Sequence, residues 1–172
     1  MKGHNNEQLD IDRNLTLREV TNSEAEIFYA QVENNRSYLA EYLPWAEKNT
    51  LRDSEEFIQK IHESRAVGSE YGFGIYVEGV LVGHTSLMRV NEAPEIGYWI
   101  SRSYAGQGIT TKATAEVTRF GFEALGLRSI VIKAAVDNTG SNKIAQKLGY
   151  ELSGTEKSDN GTTINVWRKT NE

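Results

Sequence analysis

The chain has 172 residues, and its 24 Asp and Glu exceed its 19 Lys and Arg, which gives a formal net charge of −5 at pH 7. This length predicts one globular domain, and the acidic balance argues against a surface that coats nucleic acid. The sequence contains no Cys, so disulfides, thiolate metal sites, a cysteine nucleophile and a covalent thioester intermediate are excluded.

The amino terminus carries no targeting signal that the sequence reveals. Residues 1–14 are mostly polar and lack the apolar core of a secretory signal, and no long apolar run follows them. We therefore expect a disordered or tag-like tail over residues 1–13, a single domain over residues 14–172, no membrane partner and a cytoplasmic location.

The first third of the chain predicts a short strand and two helices. An alternating strand pattern is followed by a helix, with Ser23 as its N-cap and Glu26 as the capping-box partner. Residues 38–45 form an aromatic segment that contains a proline. A second helix is expected to begin at Asp53 or Ser54.

Strand patterns occupy the middle of the chain. Tyr71–Val77 and residues 80–90 flank Glu78 and Gly79, a two-residue turn typical of a β-hairpin. Glu95–Ile100 is a further strand with alternating faces. The first half therefore predicts an antiparallel sheet with two helices inserted after its first strand.

The last third returns to helices and strands in alternation. Residues 109–124 carry an apolar stripe at helical spacing, and residues 129–136 are typical of a buried strand. Asn138 is expected to begin a helix, and a hairpin over Asn160 and Gly161 ends the chain. No repeat or linker interrupts this pattern, which predicts one α+β, or mixed α/β, unit.

A glycine turn between a strand and a helix is the most informative feature. Residues 104–111 read Tyr-Ala-Gly-Gln-Gly-Ile-Thr-Thr. Such a turn directs unpaired N–H groups and the positive end of a helix dipole at one point, where a phosphate group can bind. The sequence has no Walker A loop, and Thr111 replaces the third glycine of a dinucleotide fingerprint. A structural turn and a small NAD(P)-dependent reductase stay open as alternatives.

Four motifs, in order and at suitable spacing, resemble the GNAT acetyltransferases. They are Glu-Ile-Gly-Tyr-Trp-Ile at residues 95–100, Gly-Gln-Gly at 106–108, Val-Asp-Asn with a following Ser at 136–141, and Lys-Leu-Gly-Tyr at 147–150. Residues 38–45, which end in Leu-Pro-Trp, resemble the branch that acetylates the N-termini of ribosomal proteins, the RimJ/RimL type. The resemblance covers nearly the whole chain.

The resemblance implies a GNAT fold, in which a central mixed, mostly antiparallel, splayed sheet is flanked by helices. It implies acetyl-CoA as co-substrate in a cleft between two strands, with the pyrophosphate at the glycine turn and the pantetheine arm along Glu95–Ile100. An N–H group of that strand would face the thioester oxygen. The cofactor-binding residues implied are Tyr98, Trp99, Ile100, Gly106, Gln107, Gly108, Ile109, Thr110, Thr111, Asn138, Ser141 and Lys143.

The chain departs from the family pattern at three positions. Ala105 and Thr110 occupy turn positions where the family usually has Gln or Arg and Gly or Ala. Ala145 stands where many members have the tyrosine that protonates the leaving thiolate. Ser141 is the substitute that the RimJ/RimL branch implies. Its other interpretation is a serine that bonds the backbone in the first turn of a helix.

Direct attack of an amine on a thioester requires a group that accepts a proton. Glu70, just before Tyr71–Val77, and Glu95 are the candidates for this base, and His84 is a weaker candidate. Each could instead be a solvated or packed side chain. The three His residues show no ligand spacing, so no metal is expected.

These features predict an N-acetyltransferase that moves an acetyl group from acetyl-CoA to a primary amine, with the N-terminal α-amine of a ribosomal protein as the favoured acceptor. A small-molecule amine acceptor and a non-catalytic CoA-binding module stay open, and no nucleic-acid partner is expected. The aromatic segment at residues 38–45 could line the acceptor groove, fill the core or join subunits of a homo-oligomer.

Overall fold

A computed structural model of the protein describes residues 8–172, and one sheet of eight strands organises this part of the chain. The strands are β1 Gln8–Asp10, β2 Leu15–Arg18, β3 Tyr71–Val77, β4 Val80–Met88, β5 Glu95–Ile100, β6 Ser129–Ala135, β7 Glu151–Lys157 and β8 Thr163–Thr170. The α-helices are α1 Ala25–Asn34, α2 Arg36–Ala40, α3 Leu51–Ala66, α4 Ile109–Arg119 and α5 Thr139–Lys147.

Shorter helical turns complete the secondary structure. A π-helical turn, Phe120–Ala124, extends α4 to the end of the helix predicted over residues 109–124. Turns of 3-10 helix cover Asn22–Glu24, Pro44–Lys48 and Arg102–Tyr104. None of the helices between residues 8 and 172 is long and apolar enough to cross a membrane.

Neighbouring strands run antiparallel at all but one position of the described sheet. The order is β1-β2-β3-β4-β5-β6-β8-β7, and β5 with β6 is the parallel pair. This order confirms the predicted mixed, mostly antiparallel sheet flanked by helices. A dinucleotide-binding reductase would need a mainly parallel, doubly wound sheet, so the reductase alternative is contradicted.

The parallel pair is very short. β5 pairs with β4 along its whole length, from Met88 opposite Glu95 to Gly83 opposite Ile100. Its ladder with β6 contains only the pair of Glu95 and Val131. Because the two strands then separate, a wedge-shaped cleft opens between them. The predicted splay of the sheet therefore lies between β5 and β6.

The two faces of the sheet bury separate apolar clusters. On one face, Ile96 and Ile100 of β5 pack in a cluster that includes Val117 of α4. On the other face, Trp99 packs in a cluster that includes Phe28 of α1. Successive residues of a strand point to opposite faces, so β5 contributes to both clusters and its position is fixed from both sides.

The predicted tail over residues 1–13 is too long. β1 pairs antiparallel with β2, with Leu9 opposite Leu17, and Leu9 is buried. Asp12 also forms an ion pair with Lys112 of α4 at 3.1 Å. Leu9 and Ile11 alternate with two aspartates, but this pattern is only four residues long, and the prediction treated it as part of a polar tail. The rest of the predicted tail, residues 1–7, lies outside the described residues.

The segment before α1 has its capping box two residues earlier than predicted. Thr21 is the N-cap of the turn Asn22–Glu24, and the Thr21 N–H donates to Glu24 Oε1 over 2.9 Å. The prediction that Ser23 and Glu26 form this box is therefore wrong. Both pairs have the same Ser/Thr-x-x-Glu spacing, and contacts from distant residues select between them.

α3 begins about one turn earlier than predicted. Thr50 is its N-cap, and the Asp53 N–H donates to Thr50 Oγ1 over 3.1 Å while the Thr50 N–H donates to Asp53 Oδ2 over 2.9 Å. The predicted start at Asp53 or Ser54 is wrong because Asp53 is the third residue of the helix and the last residue of its capping box. Ser54 is buried, and its hydroxyl donates to Asn49 Oδ1.

Glu24 joins the first helix to the sheet. Its carboxylate accepts hydrogen bonds from the guanidinium of Arg18 in β2 at 3.0 and 3.1 Å, from the Tyr76 hydroxyl in β3 at 3.0 Å and from the Thr21 N–H. Burial alone would raise the pKa of Glu24, but these donors lower it to about 2. These contacts explain why the capping box forms at Thr21 and Glu24.

Replacing Glu24 by Gln should lower the free energy of unfolding at pH 7 by about 1–3 kcal/mol, because the charged hydrogen bonds to Arg18 weaken. The folded pKa lies below the ordinary value of 4.5. The stabilisation is therefore complete above pH ~4.5 and is lost as the pH falls towards 2. Urea unfolding at pH 7 and at pH ~3 measures the difference between the wild type and the variant.

Glu26→Gln provides the matched control, since Glu26 lies two positions later, in the first turn of α1, and is exposed. This variant should unfold as the wild type does at both pH values. A stability difference for Glu24→Gln that is equally large at both pH values would contradict the role given to the Glu24 carboxylate.

Candidate active site

The backbone of β5 faces the cleft on the side where β6 has separated. The Ser101 N–H donates to the Val82 carbonyl over 2.8 Å, and hydrogen-bonded positions alternate along an antiparallel pair. The peptide groups of Tyr98 and Ile100 therefore point away from β4. Since the ladder with β6 ends at Glu95, these groups face the cleft and can pair with an extended ligand.

The glycine turn lies just beyond the end of β5. Gly106 and Gly108 have φ values of 76° and 81°, a conformation that favours glycine, and Gly108 is the N-cap of α4. A Cβ atom built on either glycine would meet no atom within 4 Å. The first N–H groups of α4 therefore border open space, as an anion site requires.

The other turn residues have distinct surroundings. Gln107 is exposed, and its side-chain amide donates to the Ser103 carbonyl over 3.0 Å. Ile109, Thr110 and Thr111 form the first turn of α4 and are half-buried. Their backbone N–H groups lie at the positive end of the helix dipole.

The start of α5 is brought to the same cleft. Asn138 is the N-cap of α5, and its side-chain oxygen accepts from the Ser141 N–H over 3.3 Å. The Tyr98 hydroxyl donates to Ser141 Oγ over 3.1 Å. Burial raises the pKa of Tyr98, so the phenol keeps its proton at neutral pH. Lys143 is exposed in the following turn.

Trp99 packs away from the cleft. Its ring contacts Phe28 with centroids 5.5 Å apart and Trp45 with centroids 6.2 Å apart, both in edge-to-face geometry. Only its backbone belongs to the strand that borders the cleft. Trp99 is one of the cofactor residues predicted in β5, but its side chain packs against Phe28 and Trp45 and does not face the cleft.

Glu95 lies at the closed end of the cleft, where β5 and β6 pair. Its side chain is 19% exposed, and Oε1 lies 3.9 Å from both Arg89 Nη1 and Lys133 Nζ. Burial raises the pKa of Glu95, while Lys133 and Arg89 oppose this shift. A carboxylate with a raised pKa is better matched to accepting a proton near neutral pH.

Glu70 lies farther from the cleft. It precedes β3, which is separated from β5 by β4, so the distance across the sheet is about 10 Å. Burial raises the pKa of Glu70, and Lys60 and the Ser86 hydroxyl oppose the shift. The Glu70 side chain therefore reaches Ser86 in β4, the strand next to β5.

His84 is a packed side chain in β4. It is buried against Phe57 and Phe28, with ring centroids 5.3 and 5.8 Å away. Burial, with a smaller contribution from Arg65, lowers the pKa of His84 to about 3. A group with this pKa is neutral at pH 7 and accepts a proton poorly, so the packing interpretation is favoured over a catalytic one.

The aromatic segment at residues 38–45 has two roles within the chain. Tyr38 packs against the buried cluster, with the Arg102 guanidinium 5.8 Å from its ring centre. Tyr42 reaches across the cleft, and its hydroxyl donates to the Asp137 carbonyl over 3.1 Å. Trp45 is 44% exposed beside Trp99. The segment therefore fills the core at one end and borders the cleft at the other.

Other sites in the described part of the chain are less suited to this chemistry. No three His, Asp or Glu side chains between residues 8 and 172 are grouped so that they could hold a metal ion. A cavity of about 420 Å³ lies between the start of α1 and α3, away from the glycine turn. Its lining residues are Glu19, Val20, Thr21, Asn22, His62, Arg65 and Ala66.

Comparison with known proteins agrees with this architecture. Residues 14–151 match the family described as acetyltransferase (GNAT) domain. The ribosomal-protein-serine acetyltransferase of Escherichia coli K12 is 30% identical over 158 residues, which are 88% of this chain and 87% of that protein.

Solved acetyltransferase structures, RimL and MccE among them, share the fold. RimL, a ribosomal L7/L12 α-N-protein acetyltransferase in complex with coenzyme A, has a TM-score of 0.89 at 23% identity and covers 95% of this chain and 98% of its own. The microcin C7 self-immunity acetyltransferase MccE, in complex with acetyl-CoA and AMP, has a TM-score of 0.85 at 25% identity, with coverages of 93% and 94%.

Proposed function

The chain belongs to the GNAT acetyltransferase family, and we propose that it transfers the acetyl group of acetyl-CoA to the N-terminal α-amine of a protein. The observation that carries the proposal is the cleft between β5 and β6, with the glycine turn at its open end. The Escherichia coli relative, whose name specifies a serine of a ribosomal protein, supports the choice of acceptor.

Acetyl-CoA fits the cleft through backbone groups. The open space beside Gly106 and Gly108, with the N–H groups of Ile109, Thr110 and Thr111 behind it, suits the pyrophosphate. The peptide groups of Tyr98 and Ile100 suit the amides of the pantetheine arm, as an added strand would. Because these contacts use the backbone, the substitutions at turn positions 105 and 110 leave them intact.

The reaction needs a base that accepts the proton of the amine. It also needs groups that stabilise the negative charge that develops on the thioester oxygen and on the sulfur. Bound acetyl-CoA supplies a thioester whose carbonyl carbon is attacked by the amine while the carbon–sulfur bond breaks and its electron pair goes to sulfur. A backbone N–H of β5 that donates to the thioester oxygen would contribute about 3 kcal/mol to catalysis. Glu95 is the favoured base because it borders the cleft, and Glu70 is the second candidate.

Ser141 is proposed as the general acid: its hydroxyl gives a proton to the departing sulfur as the carbon–sulfur bond breaks, and it regains a proton from the solvent. It lies on the first turn of α5 beside the cleft, and its hydroxyl contacts Tyr98. Ala145, where many family members have a catalytic tyrosine, is fully buried and carries no donor. The hydroxyls of Ser141 and Tyr98 favour an active enzyme over the non-catalytic CoA-binding alternative.

The acceptor is proposed to approach along the exposed aromatic segment. Trp45 and Tyr42 offer rigid, amphipathic surface to a peptide chain. A small-molecule amine is the second candidate, and MccE, whose structure holds AMP, supports it.

Ribosomal proteins are found in the cytoplasm, so the proposed acceptor implies a cytoplasmic location for this protein. A homo-oligomer stays a prediction.

Gly108→Asp should weaken the binding of acetyl-CoA by about 10-fold or more, because a carboxylate would occupy the space proposed for the pyrophosphate and repel it. Titration calorimetry with acetyl-CoA measures this effect directly. The wild type should bind the ligand with a dissociation constant of about micromolar order, and NAD(H) should give no heat of binding.

Gly126→Asp is the matched control, since Gly126 also has a positive φ, 66°, and a Cβ atom there would likewise meet nothing within 4 Å. It follows the helix that Gly108 begins, so the backbone strain is similar but no ligand site is expected. Equal weakening in both variants would mean that strain alone, and not a phosphate site, explains the loss.

Glu95→Gln should lower kcat/KM by about 100-fold, because the variant cannot accept the proton of the amine. In the wild type, kcat/KM should fall as the pH drops through the pKa of Glu95, which burial raises above its usual range. In the variant, kcat/KM should lack this fall at low pH, the acid limb of the pH profile. Rates of CoA release measured across pH test both statements.

Glu156→Gln controls for the charge network, since Glu156 pairs with Lys133 at 3.1 Å and Lys133 also faces Glu95. This variant should keep the acid limb. Glu70→Gln, tested in parallel, should change kcat/KM less than Glu95→Gln. A pH profile that stays unchanged in Glu95→Gln or in Glu70→Gln would remove that residue from the mechanism.

The acceptor is tested with a peptide that has a free N-terminal serine and one internal lysine. The proposal predicts a mass gain of one acetyl group, located by fragmentation at the α-amine. The same peptide with a blocked N-terminus should gain nothing. Acetylation of the lysine, or of a polyamine or aminonucleoside in place of the peptide, would contradict the proposed acceptor.

A further inference from the structure

The Tyr98 hydroxyl has a defined partner at the cleft. It donates to Ser141 Oγ over 3.1 Å, although the two residues are 43 positions apart. Tyr98 comes from β5 and Ser141 from α5, and the strand that follows β5 in the sheet, β6, leads into α5. The contact therefore joins the two walls of the cleft at the residue proposed to act on sulfur.

Ala145, a small residue, lies on α5 close to this contact in the sequence. Ala145 is one turn after Ser141, so both side chains lie on the same face of the helix. Ala145 is fully buried, and the Tyr98 ring packs against the same apolar cluster. A phenol is thus supplied to this face of α5 from the strand rather than from the helix.

We propose that Tyr98 is a positioning residue that orients the Ser141 hydroxyl towards the sulfur of acetyl-CoA, an inference that rests on the proposed function. A serine hydroxyl has one hydrogen, and its orientation is set by its partners. Because Ser141 Oγ accepts the hydrogen of Tyr98, its own hydrogen is directed elsewhere, and Ser141 is only half-buried, so a ligand can reach it.

One further contact and the burial of Tyr98 keep this arrangement in place. Asn138 Oδ1 accepts a hydrogen bond from the Ser141 N–H, which fixes the turn of α5 that carries the Ser141 hydroxyl. Burial raises the pKa of Tyr98, so the phenol stays a donor throughout the working pH range. Consecutive hydrogen bonds polarise one another, so donation by Tyr98 also strengthens Ser141 as a donor. Tyr98 keeps its own proton in this role.

A nearby tyrosine provides a matched control. Tyr150 is buried in the same apolar cluster as the Tyr98 ring, and its hydroxyl lies 2.7 Å from Thr118 Oγ1 in α4. Tyr150→Phe therefore removes a buried hydroxyl, as Tyr98→Phe does, without changing the partner of Ser141.

The first test needs no substrate. In the free protein, the NMR resonance of the Tyr98 Cζ carbon, assigned with Tyr98→Phe, should shift when Ser141 is replaced by Ala, because the hydrogen bond is lost. The Tyr150 Cζ resonance should stay where it is in the same variant. An unchanged Tyr98 resonance would overturn the inference.

The second test is a double-mutant cycle on the rate of CoA release from acetyl-CoA. Tyr98→Phe should lower kcat by about 3- to 10-fold, as expected for one lost hydrogen bond, and leave KM for acetyl-CoA unchanged. Tyr150→Phe should keep the wild-type kcat. If Tyr98 acts through Ser141, the double variant should have the kcat of Ser141→Ala alone.

The outcomes separate this inference from the proposed function. If the kcat losses of the two single variants multiply in the double variant, the two residues act independently. That result, or a wild-type kcat in Tyr98→Phe while Ser141→Ala is impaired, would overturn the inference and leave the role of Ser141 standing. A wild-type kcat in Ser141→Ala would overturn both roles. Thermal unfolding of each variant confirms that the compared proteins are folded.

Discussion

The early separation of β5 from β6 is the constraint on which the site depends. Beyond the pair of Glu95 and Val131, the peptide groups of Tyr98 and Ile100 face a cleft instead of a strand. A buried peptide group without a partner costs about 1–3 kcal/mol, so the cleft favours a ligand that carries its own amides. The pantetheine arm of acetyl-CoA meets this requirement, and the glycine turn places a phosphate site at the end of the same strand.

A small network of hydrogen bonds holds β5 in this position. Ser101 follows β5 and is buried, and its hydroxyl donates to Gln31 Oε1 in α1. The neighbouring Asn35 accepts the Arg102 N–H over 2.9 Å. Because these side chains bind the chain where β5 ends, α1 fixes the point from which the glycine turn starts. The first helix therefore contributes to the geometry of a site whose ligand groups come from other elements.

Local patterns predicted much of the fold. The Glu78 and Gly79 turn, with both φ values positive, and the helix over residues 109–124 follow from turn chemistry and periodicity within a few residues. The glycine turn itself was found in the same way. β1 was missed because the alternation of Leu9 and Ile11 with two aspartates is only four residues long, and the capping box was misplaced because distant donors select Glu24. The contact of Tyr98 with Ser141, 43 positions away, exists only through tertiary structure and gives no sequence signal.

Amide hydrogen exchange, followed with and without acetyl-CoA, tests the central claim most directly. If the cleft between β5 and β6 is the acetyl-CoA site, the ligand should slow exchange at the N–H groups of Tyr98 and Ile100 and in the first turn of α4, while the exposed strand β7 stays unchanged. Protection confined to the cavity beside His62 and Arg65, with none in β5, would contradict the account.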